Sequence, residues 1–183
     1  MARNITAAEL KRFSVNVSRS TQETLIKSMT RSEPTSTFLS HSSKDKELVF
    51  GAMKVIQNHG GLPYIDEIDP EMPPYTTEAT ADLLKQRIRE TKRFVLLTTP
   101  NSKDSRWVPW ELGIADGVKG LSKIALFAAS DTTDNDQWTS SEYLGLYRRI
   151  VWGKLQGHSD PLWMVLNTKK SEAEPLTRWL ASG

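Results

Sequence analysis

The stretch Ser105-Arg106-Trp107-Val108-Pro109-Trp110-Glu111-Leu112-Gly113 sets one carboxylate among two tryptophans, shortly after the apolar run 94–98. Pro109 suits the first position of a helix, because its missing N–H is unused there and its fixed φ fits helical backbone. Glu111 is then expected in the first turn, where the positive end of the helix dipole favours the ionised carboxylate. A charged carboxylate beside aromatic surface, at the carboxyl end of a strand, can stabilise developing positive charge or grip a hydroxyl. Glutamate in a first turn is equally a helix cap, and tryptophans are equally core residues. The stretch by itself leaves both uses open.

The elements that would position it alternate between strand and helix. Strands are expected over 35–39, 62–66, 93–98, 123–128 and 162–166, with an extended piece near 150–152. Leu48, Val49, Ala52, Val55, Ile56 and His59 recur at helical spacing until Gly60-Gly61 stops them. Ala81, Leu84 and Ile88 mark a second helix, and the Glu111 helix closes near Gly120. Tyr143, Leu144 and Tyr147 suggest a short helix, and Leu176, Trp179 and Leu180 one face of a last one. This alternation predicts an α/β fold, a parallel sheet with helices on both faces and right-handed connections. Ligands of such sheets sit at the strands' carboxyl ends. The Ser40-His41-Ser42-Ser43-Lys44-Asp45 loop, Asp66 with the acidic, proline-rich loop 67–75, and Glu111 all fall at that edge.

Residues 1–34 read as an N-terminal helical extension ahead of a domain over 35–183. Thr6-Ala7-Ala8-Glu9 and Ser20-Thr21-Gln22-Glu23 both match a capping box; Leu25, Ile26 and Met29 follow the second, and Glu33-Pro34 ends it. The chain has 183 residues, enough for one domain with a real core. With 24 basic and 22 acidic residues the net charge is +2, which gives no argument for a nucleic-acid surface. There is no cysteine, so disulfides, thiol nucleophiles and cysteine-bound zinc are excluded. His41, His59 and His158 are too dispersed to suggest a metal site. No apolar run is long enough to span a membrane and no leader is evident, so a cytoplasmic protein is expected.

Neither a Gly-x-Gly-x-x-Gly nor a phosphate-binding Gly-x-x-x-x-Gly-Lys-Ser/Thr occurs. A phospho-receiver would need acidic residues where Ser40-His41-Ser42 and Thr98-Thr99 stand, and Ser40 beside His41 in sequence is not the arrangement of a working Ser–His pair. In order along the chain, Phe38-Leu39-Ser40-His41-Ser42-Ser43-Lys44-Asp45, Tyr64-Ile65-Asp66, the run 96–102 and Trp107-x-x-x-Glu111 resemble a bacterial Toll/interleukin-1 receptor (TIR) domain over residues 35–180. The resemblance implies a flavodoxin-like, five-stranded parallel fold and, in many members, cleavage of NAD, with NAD as substrate and no cofactor or metal. It places the catalytic glutamate at Glu111 and the motif tryptophan at Trp107. Ser40, His41 and Asp66 fall at pocket positions, and the loop 67–79 corresponds to one that covers the pocket and contacts a neighbouring subunit.

Residue chemistry agrees with that expectation. Glycoside hydrolysis ordinarily takes two carboxylates, one of them protonating the leaving group. Nicotinamide leaves from a cationic bond and needs no proton, so Glu111 alone can hold ribose hydroxyls and stabilise the sugar cation, with Trp107 or Trp110 as a wall. Hydrolysis to ADP-ribose and cyclisation share this step. The chain resembles the signal-making component of anti-phage systems such as Thoeris, which implies self-association and a separate effector that senses the product. A non-enzymatic TIR adaptor and a deoxyribosyltransferase-like enzyme are the competing readings.

Overall fold

The computed structural model describes residues 2–15, 36–132 and 143–183. The second capping box with its apolar residues, Glu33-Pro34 and most of the polar loop 130–137 lie outside the described residues. The strands are β1 (Ile5–Thr6), β2 (Ser36–Ser40), β3 (Leu62–Tyr64), β4 (Arg93–Thr98), β5 (Ile124–Ser130), β6 (Arg148–Gly153), β7 (Leu162–Asn167) and β8 (Glu172–Pro175). The helices are α1 (Ala7–Val15), α2 (Lys46–Asn58), α3 (Glu78–Glu90), α4 (Trp107–Lys119) and α5 (Leu176–Ala181).

Five parallel strands run in the order β3-β2-β4-β5-β6, the flavodoxin order 2-1-3-4-5. The fold class expected from alternation and from the resemblance is the one observed. The fifth parallel strand, however, is Arg148–Gly153. The expected one, around 162–166, pairs antiparallel with it, and β8 pairs antiparallel beyond that, so the sheet has eight strands among the described residues. Its apolar run could not show direction, because a buried strand looks the same either way round.

Alternate strand residues face two separate cores, as a pleated strand dictates. Leu39, Val95, Leu97, Ala125 and Phe127 meet α1, α2 and α5 on one face, through Leu10, Val49, Ile56 and Trp179. Phe38, Phe94, Leu96, Ile124 and Leu126 meet α3 and α4 on the other, through Leu84, Ile88, Val108 and Leu112. Gly60, at φ 82°, turns the chain out of α2, a conformation that glycine adopts without steric cost.

The described part of the N-terminal segment is built into the sheet. The first capping box forms as its sequence predicts: Thr6 Oγ1 accepts from Glu9 N at 3.1 Å and Glu9 Oε2 accepts from Thr6 N at 2.9 Å. Ahead of it lies a strand rather than more helix. Ile5 and Thr6 pair in parallel with Ala129 and Ser130, and Arg3 bridges Trp152 through bonds of 2.9 and 3.0 Å. The chain's start thus fills the gap where β6 has left β5, whose own pairing reaches only Ala125 and Leu126. Leu10 is fully buried, and α1 crosses α2 so closely that a Cβ on Gly51 would run into the Leu10 carbonyl. Gly51→Ala is therefore expected to cost about 1–3 kcal/mol by overpacking, read as a lower denaturant midpoint. An unchanged midpoint would show that α1 is not held there.

Candidate functional site

Ser40 ends β2 in register with Leu96 of β4, and by alternation its side chain shares the face of Phe38. Helix α4 covers that face. It begins at Trp107, so Pro109 is its third residue and Glu111 its fifth. The expectation of Pro109 at the first position and Glu111 in the first turn is corrected by two residues. Ser105 Oγ accepts from Val108 N at 3.3 Å, which satisfies an orphan amide and lets the helix start early. Pro109 remains within the turn whose amides have no helical acceptor, so it does no harm.

The shift changes the electrostatics of the glutamate. Glu111 is 4% exposed, and Ser40 Oγ donates to its Oε2 at 2.5 Å. Burial pushes the Glu111 carboxyl well above the usual carboxylate range, and the negative charge of Asp66 pushes it further, against the Ser40 hydrogen bond. The dipole expected to favour the ionised carboxylate is thus opposed by burial and by Asp66, both of which disfavour the charge. Dipole stabilisation fades beyond the first turn, and desolvation of a fifth-position side chain outweighs it.

Asp66 opens the 3-10 turn Asp66–Ile68 that follows β3 and Ile65. Its carboxyl is also raised, first by burial and then by Glu67, while His41 and the amides of Asp66 and Glu67 oppose the rise. The charge of Asp66 thus disfavours ionisation of Glu111 across the edge. His41 Nδ1 faces the Leu39 carbonyl at 3.3 Å and Nε2 faces Glu67 Oε2 at 3.4 Å. Burial works to raise Glu67, but hydrogen bonds from Lys46 and His41 outweigh it and hold Glu67 below the usual range.

Behind His41 lies a cavity of about 240 Å³ whose walls are Val49, Phe50, Met53, Ile65 and Ile68 and whose polar rim is His41, Lys46 and Glu67. Neither Ser40 nor Glu111 lines it. His41 and Glu67 both border the cavity and act on Asp66. Trp107 and Trp110 pack edge to face at 5.1 Å and lie half-buried against the α3–α4 core. Trp107, four residues before Glu111, shares its helix face; Trp110 does not. The structure therefore brings together Ser40, Glu111, Asp66 and His41, sets Trp107 beside them, and uses Trp110 to brace Trp107.

Some contributors were not foreseen. Asp45, 3% exposed, accepts from Thr99 Oγ1 at 2.5 Å and Asn101 Nδ2 at 2.6 Å, tying the loop after β2 to the loop after β4. Glu67 and Lys46 form a 2.8 Å ion pair across the mouth of the cavity. Both links join residues far apart in sequence, and no local pattern announces either. Helix α3 starts at Glu78, capped by Thr77, so the loop ends two residues before the expected 79. Among the described residues no group of three metal-ligating side chains converges, and no helix is long and apolar enough to cross a membrane.

A buried glutamate held by a serine, beside a second carboxyl and a histidine at the carboxyl edge of a flavodoxin-type sheet, can face and stabilise a cation. No protein-family model matches the chain. A Bacillus cereus (strain MSX-D12) protein described as "Probable 3' cyclic ADP-D-ribose synthase ThsB'" is 30% identical over 136 residues, covering 73% of this chain and 69% of its own length.

Proposed function

Because the chain belongs to the bacterial TIR-domain proteins of the Thoeris type, we propose that it cleaves NAD between nicotinamide and ribose and releases ADP-ribose or a cyclic ADP-ribose isomer as an anti-phage signal. The observation that carries the reading is the Ser40–Glu111 pair beside Asp66. The bond from the ribose anomeric carbon to the pyridinium nitrogen breaks with both electrons leaving on nitrogen, so neutral nicotinamide departs without protonation. The sugar cation left behind is stabilised by ionised Glu111, an electrostatic role. Water then attacks and loses a proton to give ADP-ribose, or a nucleophile of the same molecule closes a ring. NAD is the substrate, and the step calls for no separate cofactor.

Burial and Asp66 disfavour the charge on Glu111, so the cationic nicotinamide ring has a second effect. A positive charge placed beside the pair favours the ionised carboxylate and draws the proton off. Trp107 walls the pocket on the Glu111 face, while His41 and Asp66 meet the ribose hydroxyls. Self-association, a separate product-sensing effector and a cytoplasmic setting complete the proposal. The relative's name favours the cyclic product; chromatography of NAD incubated with concentrated protein tests the choice. A cyclic isomer beside nicotinamide is expected, and ADP-ribose alone would leave hydrolysis.

The pH dependence follows from the raised Glu111. Activity needs the ionised form, so kcat/KM, which reports the free enzyme, is expected to fall toward acid through a midpoint above the ordinary carboxylate range, in nicotinamide release measured from about pH 4 to about pH 9. A midpoint at or below the ordinary value would contradict a buried catalytic glutamate.

The adaptor reading draws on one observation, the near-complete burial of Glu111 with both tryptophans packed on the core. A protein that assembles yet leaves NAD intact at high concentration would decide for it.

A further inference from the structure

Asp69 lies three residues beyond Asp66 and its side chain is fully buried. Tyr64 Oη donates to Asp69 Oδ2 at 2.6 Å, Arg87 Nε donates to the same oxygen at 2.9 Å, and Glu71 N donates to Oδ1 at 2.9 Å. Its backbone closes two successive turns, with Asp69 N donating to Asp66 O and Met72 N to Asp69 O, both at 3.0 Å. Arg87 also reaches Glu71 and Glu90, yet its own side chain is only 11% exposed. A buried carboxylate with three charge-assisted or buried donors is one of the stiffer joints a protein can build.

The joint brackets Asp66. On one side, Tyr64 is fully buried and packs on Phe38 at 5.4 Å, fixing the end of β3. On the other, Asp69 is tied to α3 by Arg87. The acidic loop is thus pinned at Asp69 and Glu71, and its later part, with Tyr75 79% exposed, stands clear.

We propose that Asp69, clamped by Tyr64 and Arg87, is a positioning residue that sets where the Asp66 carboxyl stands against Glu111. The inference rests on the reading that this pair is the seat of NAD cleavage. Among the described residues, Ser40 faces Glu111, while His41 and Glu67, the latter paired with Lys46, face Asp66. None of them replaces the Asp69 joint. Releasing it lets Asp66 retreat, and Glu111 loses the neighbouring charge that disfavours its ionisation.

The test uses the full chain with Arg87→Ala, Arg87→Lys and Tyr64→Phe, the last removing a single hydroxyl should Arg87→Ala fail to fold. The acid limb of the kcat/KM profile, which reports the free enzyme, is expected to move to lower pH in Arg87→Ala and Tyr64→Phe. The Asp66→Asn variant should move it the same way, and Arg87→Lys should restore it in part. Independently of activity, hydrogen exchange at the Glu71 and Met72 amides is expected to speed up about tenfold while β4 amides keep their protection. Unmoved acid limbs would overturn the positioning role, as would exchange that quickens equally throughout the fold. A wild-type chain that releases no nicotinamide would sink the enzymatic reading, while the exchange data would still judge the joint.

Discussion

Glu111→Gln is expected to remove nicotinamide release, by about 10²–10³-fold or more in kcat, and also to raise the unfolding temperature at neutral pH. Glutamine keeps an oxygen for the Ser40 hydroxyl, so packing is conserved. The sign of the stability effect follows from proton linkage. The folded-state pKa of Glu111 lies above its ordinary value, because burial and Asp66 both disfavour the charge. The protonated native form is therefore stabilising, fully so below the ordinary value, and that contribution is lost as pH rises through the raised one. The neutral amide has nothing to lose. Thermal melts should thus nearly coincide in acid and separate in favour of the variant as pH rises. A variant less stable than wild type across the range would mean that Glu111 is ionised in the resting protein. A gain in stability with loss of turnover is the usual mark of a group held in place for function.

Trp179→Ala is expected to cost about 3–5 kcal/mol, a large share of the roughly 5–15 kcal/mol that holds a domain together. Helix α5 has six residues and cannot stand alone. It is held by Leu176, Leu180 and Trp179 in the α1–α2 core, and Trp179 Nε1 donates to Ser122 O at 2.9 Å. Arg93, 2% exposed at the start of β4, donates to the Trp179 carbonyl at 2.8 Å, and its guanidinium lies 4.9 Å over the indole ring. Removing the ring leaves both a cavity and a buried cation without its cover. Trp179→Phe should cost less, since it keeps most of the apolar fill. Denaturant midpoints measure both. Arg93 begins β4 whereas the Glu111 edge lies at the strand's other end, so the folded fraction of Trp179→Ala is expected to keep its turnover per molecule.

These two residues also show what the sequence makes legible. Trp179 was placed on the buried face of a last helix by its spacing from Leu176 and Leu180, because one apolar stripe defines a helix face. Short apolar runs located the buried strands, since strands covered on both faces read as continuous apolar stretches. Glu111 and its neighbours at the carboxyl edge came from motif spacing, and Ser40, Asp66 and His41 do converge there. What failed was local and electrostatic. The start of α4 hung on one serine hydroxyl, and the charge state of Glu111 hung on burial that no single stretch encodes. The direction of β7, the strand at Ile5–Thr6 and the Asp45–Thr99–Asn101 tie each depend on partners distant in the chain. Long-range pairing leaves little trace in a short window.

In the proposed reaction a single carboxyl, Glu111, drives NAD cleavage. Its most direct measurement is the time course of nicotinamide release by concentrated wild-type protein beside an equal amount of folded Glu111→Gln. Release by the wild type with none above background from the variant is the predicted result. Equal release by both proteins would contradict the assignment of Glu111.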